Sequence, residues 1–191
     1  MSAESLKCVE VASVSELREW LDAHHGQDES IWLVTYKKAA GDRYVSRDAV
    51  LDELLCVGWI DGARRKMDDL RTMQLVGPRR VLHWSASYKR RAERLTAEGR
   101  MRPAGQAAID ASKAAGEWTR LDNVDALVIA DDVAAALSKS PGARAGFEAF
   151  PDSTKRFTLR WIELAKRPET RARRIEQAAS LAAKGQKVSG A

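Results

Sequence analysis

A chain of 191 residues is long enough for one large domain or two small ones sharing an interface. Hydrophobic residues make up 45% of it and charged residues 31%, a balance that suits a folded globular protein and argues against disorder. The formal net charge is +5, and no run approaches the roughly 20 apolar residues needed to span a bilayer.

The segment from Met1 to Lys7 has neither a basic start nor an apolar core of signal-peptide length, so a cytoplasmic location is the expectation. Cys8 and Cys56 are isolated thiols without CxxC spacing, and a structural disulfide is unusual in a reducing compartment. Beside Leu54, Leu55 and Val57, Cys56 reads as a small core residue rather than a reactive thiol.

In chain order, Ser13-Val14-Ser15-Glu16 has capping-box spacing, and Leu17, Trp20 and Leu21 follow at helical intervals. A first helix to His24 or His25, ended by Gly26, is predicted. Ser30 to Lys38 is β-branched and aromatic and reads as a strand. Ser46 can cap a helix over Arg47 to Leu55 with Val50, Leu51, Leu54 and Leu55 on one apolar stripe. Val57 to Lys66 is a strand or a tight turn, with Asp61-Gly62 as an alternative turn, and Arg71 to Val76 is a second strand after the Asp68-Asp69 connector.

The remainder reads as helical. Ser85 caps a helix through Glu98 that stops at Gly99, and Pro103 opens another ending near Gly116. Asn123 to Leu137 is apolar and acidic, Ser140-Pro141 starts a short helix, and Pro151 starts one carrying Phe157, Trp161 and Leu164. Pro168 opens the last helix, with Ile175, Ala178, Ala179 and Ala182 inward and Arg167, Arg171 and Arg174 along a basic edge, and Gly185 stops it. The fold class is α+β: a small antiparallel sheet with flanking helices in the front half and a helical C-terminal region. The expected division is an α+β region over 1–118, a helical region over 119–187 that packs with the first or stands apart, and a fraying tail over 188–191.

Charge alternates along the chain: residues 1–62 carry −6, 63–102 carry +8, 103–150 carry −3 and 151–191 carry +6. Packing of acidic against basic segments accounts for such alternation; a basic surface for phosphates, nucleic acid or acidic headgroups is the functional alternative.

The densest chemistry lies between Gly58 and Ser85, where Gly58-Trp59-Ile60-Asp61-Gly62 leads through Arg64-Arg65-Lys66 to Pro78-Arg79-Arg80 and His83-Trp84-Ser85. No Walker A or GxGxxG loop occurs, Ser85 lacks a GxSxG context, and no His or Cys lies at chelating spacing from His83 or from the His24-His25 pair. No cofactor or metal is therefore expected, and no nucleophile or acid/base pair stands out.

The blocks Ser30-Ile31-Trp32-Leu33, Tyr36-Lys37-Lys38, Leu54 to Gly62, Pro78-Arg79-Arg80, Trp84-Ser85 and Glu98-Gly99-Arg100-Met101 resemble the signature of the YdeI/OmpD-associated, or bacteriocin-protection, family. Lys155-Arg156, Trp161-Ile162, Ala165-Lys166 and Glu169 to Ile175 resemble its C-terminal region, so the resemblance runs over roughly 30–187. It implies a connection with an outer-membrane porin and with tolerance of bacteriocins or cationic antimicrobial peptides, and no agreed enzymatic activity. This chain departs from the family pattern at Val81-Leu82-His83, where a small or polar linker is common, and at Tyr88, where asparagine is more usual.

The expected site is an aromatic, electropositive recess for an anionic small molecule or acidic protein group. Arg79, aided by Arg64 or Lys89, neutralises the ligand; Trp59 and Trp84 form the walls, and Asp61 orients a cation or ligand hydroxyl. Against this stand packing roles for both tryptophans and a structural ion pair for Arg79 with Asp61. A protein-interaction module in envelope stress, docking through Arg167, Arg171 and Arg174, is the second reading, and weak nucleic-acid binding the third.

Overall fold

The computed structural model describes residues 6–189. The N-terminal segment read for a signal peptide lies, up to Ser5, outside the described residues, as do Gly190 and Ala191 of the expected tail. Two compact units divide at Trp118 and Thr119.

The first unit is built on a four-stranded sheet of order β1-β2-β4-β3, formed by β1 (Cys8–Val11), β2 (Ile31–Tyr36), β3 (Trp59–Lys66) and β4 (Arg71–Pro78). β2 and β3 each pair antiparallel with β4, but β1 runs parallel to β2, with Val9 opposite Leu33. The sheet is therefore mixed rather than antiparallel as expected. The four-residue β1 is too short to show a period in sequence, and its parallel pairing is made by the crossover through α1 (Val14–His24). Ser13 caps α1 by accepting from the Glu16 amide at 3.1 Å, while the Glu16 carboxylate accepts from the Ala12 amide at 2.8 Å.

α2 (Arg47–Cys56) begins at Ser46, whose hydroxyl accepts from the Ala49 amide at 3.1 Å. It is buried on more than its apolar stripe, since Asp52 and Glu53 are also enclosed. Asp61-Gly62 makes no turn; the β3–β4 register shifts between Asp61 and Arg64, an irregularity that re-aims the side chains beyond it. At Gly58 the backbone takes φ +74° and an added Cβ would lie 2.8 Å from the Ala104 carbonyl oxygen, so two requirements favour glycine here. α3 (Ala86–Ala97) and α4 (Pro103–Ala114) complete the unit. Ser85 occupies the N-cap position of α3, yet its hydroxyl bonds Ser87 at 3.0 Å instead of a backbone amide.

Two cores fill this unit. Leu17, Leu21, Leu33, Leu54, Trp59 and Val76 pack between α1, α2 and the sheet, whereas Leu55, Cys56, Trp84, Leu95 and Ile109 pack between α2, α3 and α4.

The second unit contains α5 (Asp122–Asp125), α6 (Asp131–Lys139), α7 (Ala143–Glu148), α8 (Asp152–Glu163) and α9 (Pro168–Ala183). The apolar, acidic stretch breaks in two at Leu127, a non-glycine residue with φ +59°. Ile175, Ala178, Ala179 and Ala182 face inward from α9 as the periodicity predicts, joining Leu137, Phe147, Leu159 and Ile162. Val188 is buried in the same core, so the chain is anchored beyond α9.

Candidate functional site

Arg79 leaves the end of β4, where its amide donates to the Gly58 carbonyl at 2.9 Å. Its guanidinium carbon lies 4.0 Å from the centroid of the Trp84 ring and 5.4 Å from that of Tyr88, a position that gives cation–π attraction from both. Nη2 donates to the His83 carbonyl at 2.5 Å, but Nε and Nη1 are buried and meet no acceptor. The Trp84 indole N–H, adjoining them and fully buried, also lacks an acceptor. Burial pushes Arg79 down to about 10, against upward pulls from Tyr88 and Asp61, so it stays a cation at neutral pH. Arg79 forms no ion pair among the described residues.

Asp61 stands on β3 beside this arginine and is saturated by other partners. It accepts a hydrogen bond from the Tyr88 hydroxyl and one of 2.8 Å from Gln74 Nε2, and Arg47 reaches it at 3.5 Å. Burial first, then the bond to Asp61, raises the Tyr88 phenol well above its usual value, keeping it a donor.

Of the six residues expected to form a recess, Asp61, Arg79 and Trp84 come together, joined by Tyr88. Trp59 belongs to the other core: it is 1% exposed, meets Trp20 edge-on and donates its indole N–H to the His25 carbonyl at 2.9 Å. Arg64 lies beyond the β3 irregularity, exposed, and donates to the Thr72 hydroxyl at 3.1 Å. Lys89 sits over the Trp118 ring at 5.3 Å. The paired tryptophan walls thus do not form, because Trp59 and Trp84 fill separate cores.

On α9, Arg171 is held by Asp132 at 2.8 Å and by Glu163 at 3.1 Å. Arg174 donates to the Trp161 carbonyl and lies 4.9 Å from that ring, and Arg167 is exposed at the N-cap. Two of the three cations proposed for docking are engaged within the unit.

Sequence reasoning passed over the largest charged cluster. Glu53 accepts from Arg18 at 2.7 and 3.0 Å and from Arg100 at 2.9 Å. Asp52 accepts from Arg94 at 2.7 and 2.8 Å and from Arg91, which also reaches Asp48 at 2.7 Å. Arg94 further pairs with Glu98 one turn on, at 2.9 Å. The signal was the charge alternation itself, an acidic α2 against a basic α3. The cluster borders a cavity of about 250 Å³ lined in part by Arg18, Glu53, Arg100, Arg102 and Cys56. Burial raises the Cys56 thiol to about 11, so at pH 7.5 it is expected to resist iodoacetamide in the native protein while exposed Cys8 reacts. Mass spectrometry of the labelled chain checks this; equal labelling of both thiols would mean that Cys56 is accessible.

The fold and site define a small α+β protein with a cationic, aromatic cluster and, among the described residues, no group of His, Cys, Asp or Glu suited to a metal. Residues 9–108 match the model of a family described as a domain of unknown function, DUF8412. Residues 126–185 match the model described as bacteriocin-protection, YdeI or OmpD-associated. The chain belongs to the first family, whose model covers more than half its length, and its C-terminal segment is similar to the second. The front-half blocks that resemble the latter fall within the DUF8412 match instead. No curated protein and no solved structure matches the chain. Among the described residues no helix is long and apolar enough to cross a membrane.

Proposed function

We propose that this family member recognises an anionic group, a carboxylate or a phosphate, at Arg79, and that it does so in the cytoplasm as part of bacteriocin or cationic-peptide tolerance. The observation that carries the reading is the buried guanidinium with two N–H groups lacking acceptors. Burying an unpaired cation costs several kcal/mol, roughly, and a partner that brings acceptor oxygens offsets that cost. The adjoining indole N–H adds a third donor, so the cluster favours a guest rich in acceptors over an alcohol or an amine. Asp61 attracts Arg79 without bonding it, since Tyr88, Gln74 and Arg47 take its oxygens. The donors are buried, so the chain around them must yield for an anion to reach them.

Thermal shifts across phosphorylated metabolites, nucleotides, dicarboxylates and short oligonucleotides test the reading. A ligand at a hundred times its Kd raises stability by about 2.7 kcal/mol, a shift of several degrees. Wild type is expected to respond to at least one anion, and Arg79→Met, which keeps a long side chain against Trp84, to remain folded without responding. If no anion stabilises wild type while Arg79→Met melts far lower, Arg79 is a structural cation between two rings, and a protein-interaction role becomes the better account. A response to oligonucleotides alone, falling steeply with salt, would favour the nucleic-acid reading.

A further inference from the structure

Independently of Arg79, we infer that the groove between α3 and α4 is a binding site for a small planar aromatic carboxylate. The groove encloses about 490 Å³, within the range of about 300 to 1,000 Å³ in which small-molecule sites fall. Its floor is Ala92 and Ile109, 2% and 4% exposed, and Trp118 forms one wall. Trp118 is itself fixed, tilted 45° against Trp84 with ring centroids 5.2 Å apart, so the wall stands ready before any ligand arrives. A flat apolar guest gains from burial on this floor and from offset or edge contact with the indole.

Charge selects the guest's sign and orientation. Lys113, on the α4 side, holds its ammonium 5.2 Å from the Trp118 centroid and forms no ion pair among the described residues. Lys89 lies 5.3 Å from the same ring. Glu93 lines the α3 side, so a carboxylate is repelled from that wall and drawn to Lys113. The remaining lining groups, Thr96, Ala97 and Gln106, carry no charge, and the Gln106 amide N–H already donates to Asp110 at 2.8 Å. An aromatic ring on the floor with its carboxylate at Lys113 satisfies both the apolar surface and the cation. A cationic amphiphile would instead face Lys113 at the Trp118 wall.

Isothermal titration of the full chain with 1-naphthoate, and with the neutral 1-naphthylmethanol, tests the site. Naphthoate is expected to bind saturably with a Kd of about 1 mM, and the alcohol more weakly. Lys113→Glu, at an exposed position, should weaken naphthoate by about five- to tenfold and leave the alcohol within about twofold, which a merely structural lysine would not do. Ala97→Trp, which places an indole into the groove from the exposed end of α3, should abolish binding of both while circular dichroism stays unchanged. Absence of saturable naphthoate binding would overturn the inference. So would binding that survives Ala97→Trp, which would place the ligand elsewhere, or equal loss of acid and alcohol in Lys113→Glu, which would deny Lys113 its part in selecting charge.

Discussion

Gly146→Ala is expected to destabilise the second unit by about 3 kcal/mol or more, lowering its melting temperature by on the order of 15 °C. α7 crosses α9 with Gly146 directly against Ala182, and an added Cβ would fall far inside contact with the Ala182 carbonyl oxygen and 2.9 Å from its carbonyl carbon. Both obstacles are backbone of a 16-residue helix, so no rotamer change relieves them; the helices must separate. That separation would loosen Phe147, Ala178, Ala179 and Ala182, which share this core. Differential scanning calorimetry checks the shift. Gly26→Ala, where the methyl meets nothing within 4 Å, serves as the control and should stay within about 0.5 kcal/mol of wild type. A Gly146→Ala protein that melts with wild type would mean that α7 and α9 do not approach this closely.

Asp52→Asn is expected to cost the first unit about 3 kcal/mol at pH 7, a fall of about 10 °C. The buried carboxylate takes bonds from Arg91 and Arg94, and the uncharged amide leaves Arg91, itself 19% exposed, with only the exposed Asp48 as counter-charge. The pH dependence follows from the same geometry. Burial pushes the Asp52 carboxyl up, but bonds from Arg94 and Arg91 with their charges outweigh it, and the group ends below its usual value. A depressed carboxylate stabilises the fold above its unfolded value near 4 and loses that stabilisation as pH falls through the folded value. The difference in melting temperature between wild type and Asp52→Asn should therefore be full at pH 7 and shrink below about pH 4. A difference that is constant from pH 7 to pH 2 would show that Asp52 acts by shape alone. Asp132, lowered chiefly by its bond from Arg171, makes the second unit acid-sensitive in the same direction.

Helices were legible wherever capping chemistry and period agreed. Ser13, Ser46, Pro103 and Pro168 marked starts that the structure keeps, and the inward face of α9 was read residue by residue. β1 was not, because four residues give no period and its partner lies across a helix. Within the site, Arg79 and Trp84 were expected in one recess, and they meet. Tyr88 was noted as a departure, yet its bond to Asp61 spans 27 residues and carries no local signal.

By itself the sequence determined the α+β order, a helical C-terminal region and that region's similarity to the bacteriocin-protection family, and its charge alternation offered the packing of acidic against basic segments as one of two readings. These rest on periodicity, caps and net charge, which act over a few residues or sum over many. Only the tertiary structure decided that Trp59 and Trp84 fill different cores, that Asp52 and Glu53 hold four arginines, and that Arg79 keeps buried donors without acceptors. Such outcomes depend on which distant side chains meet after the sheet twists and the helices dock. A residue's type limits its possible partners, and the fold selects among them.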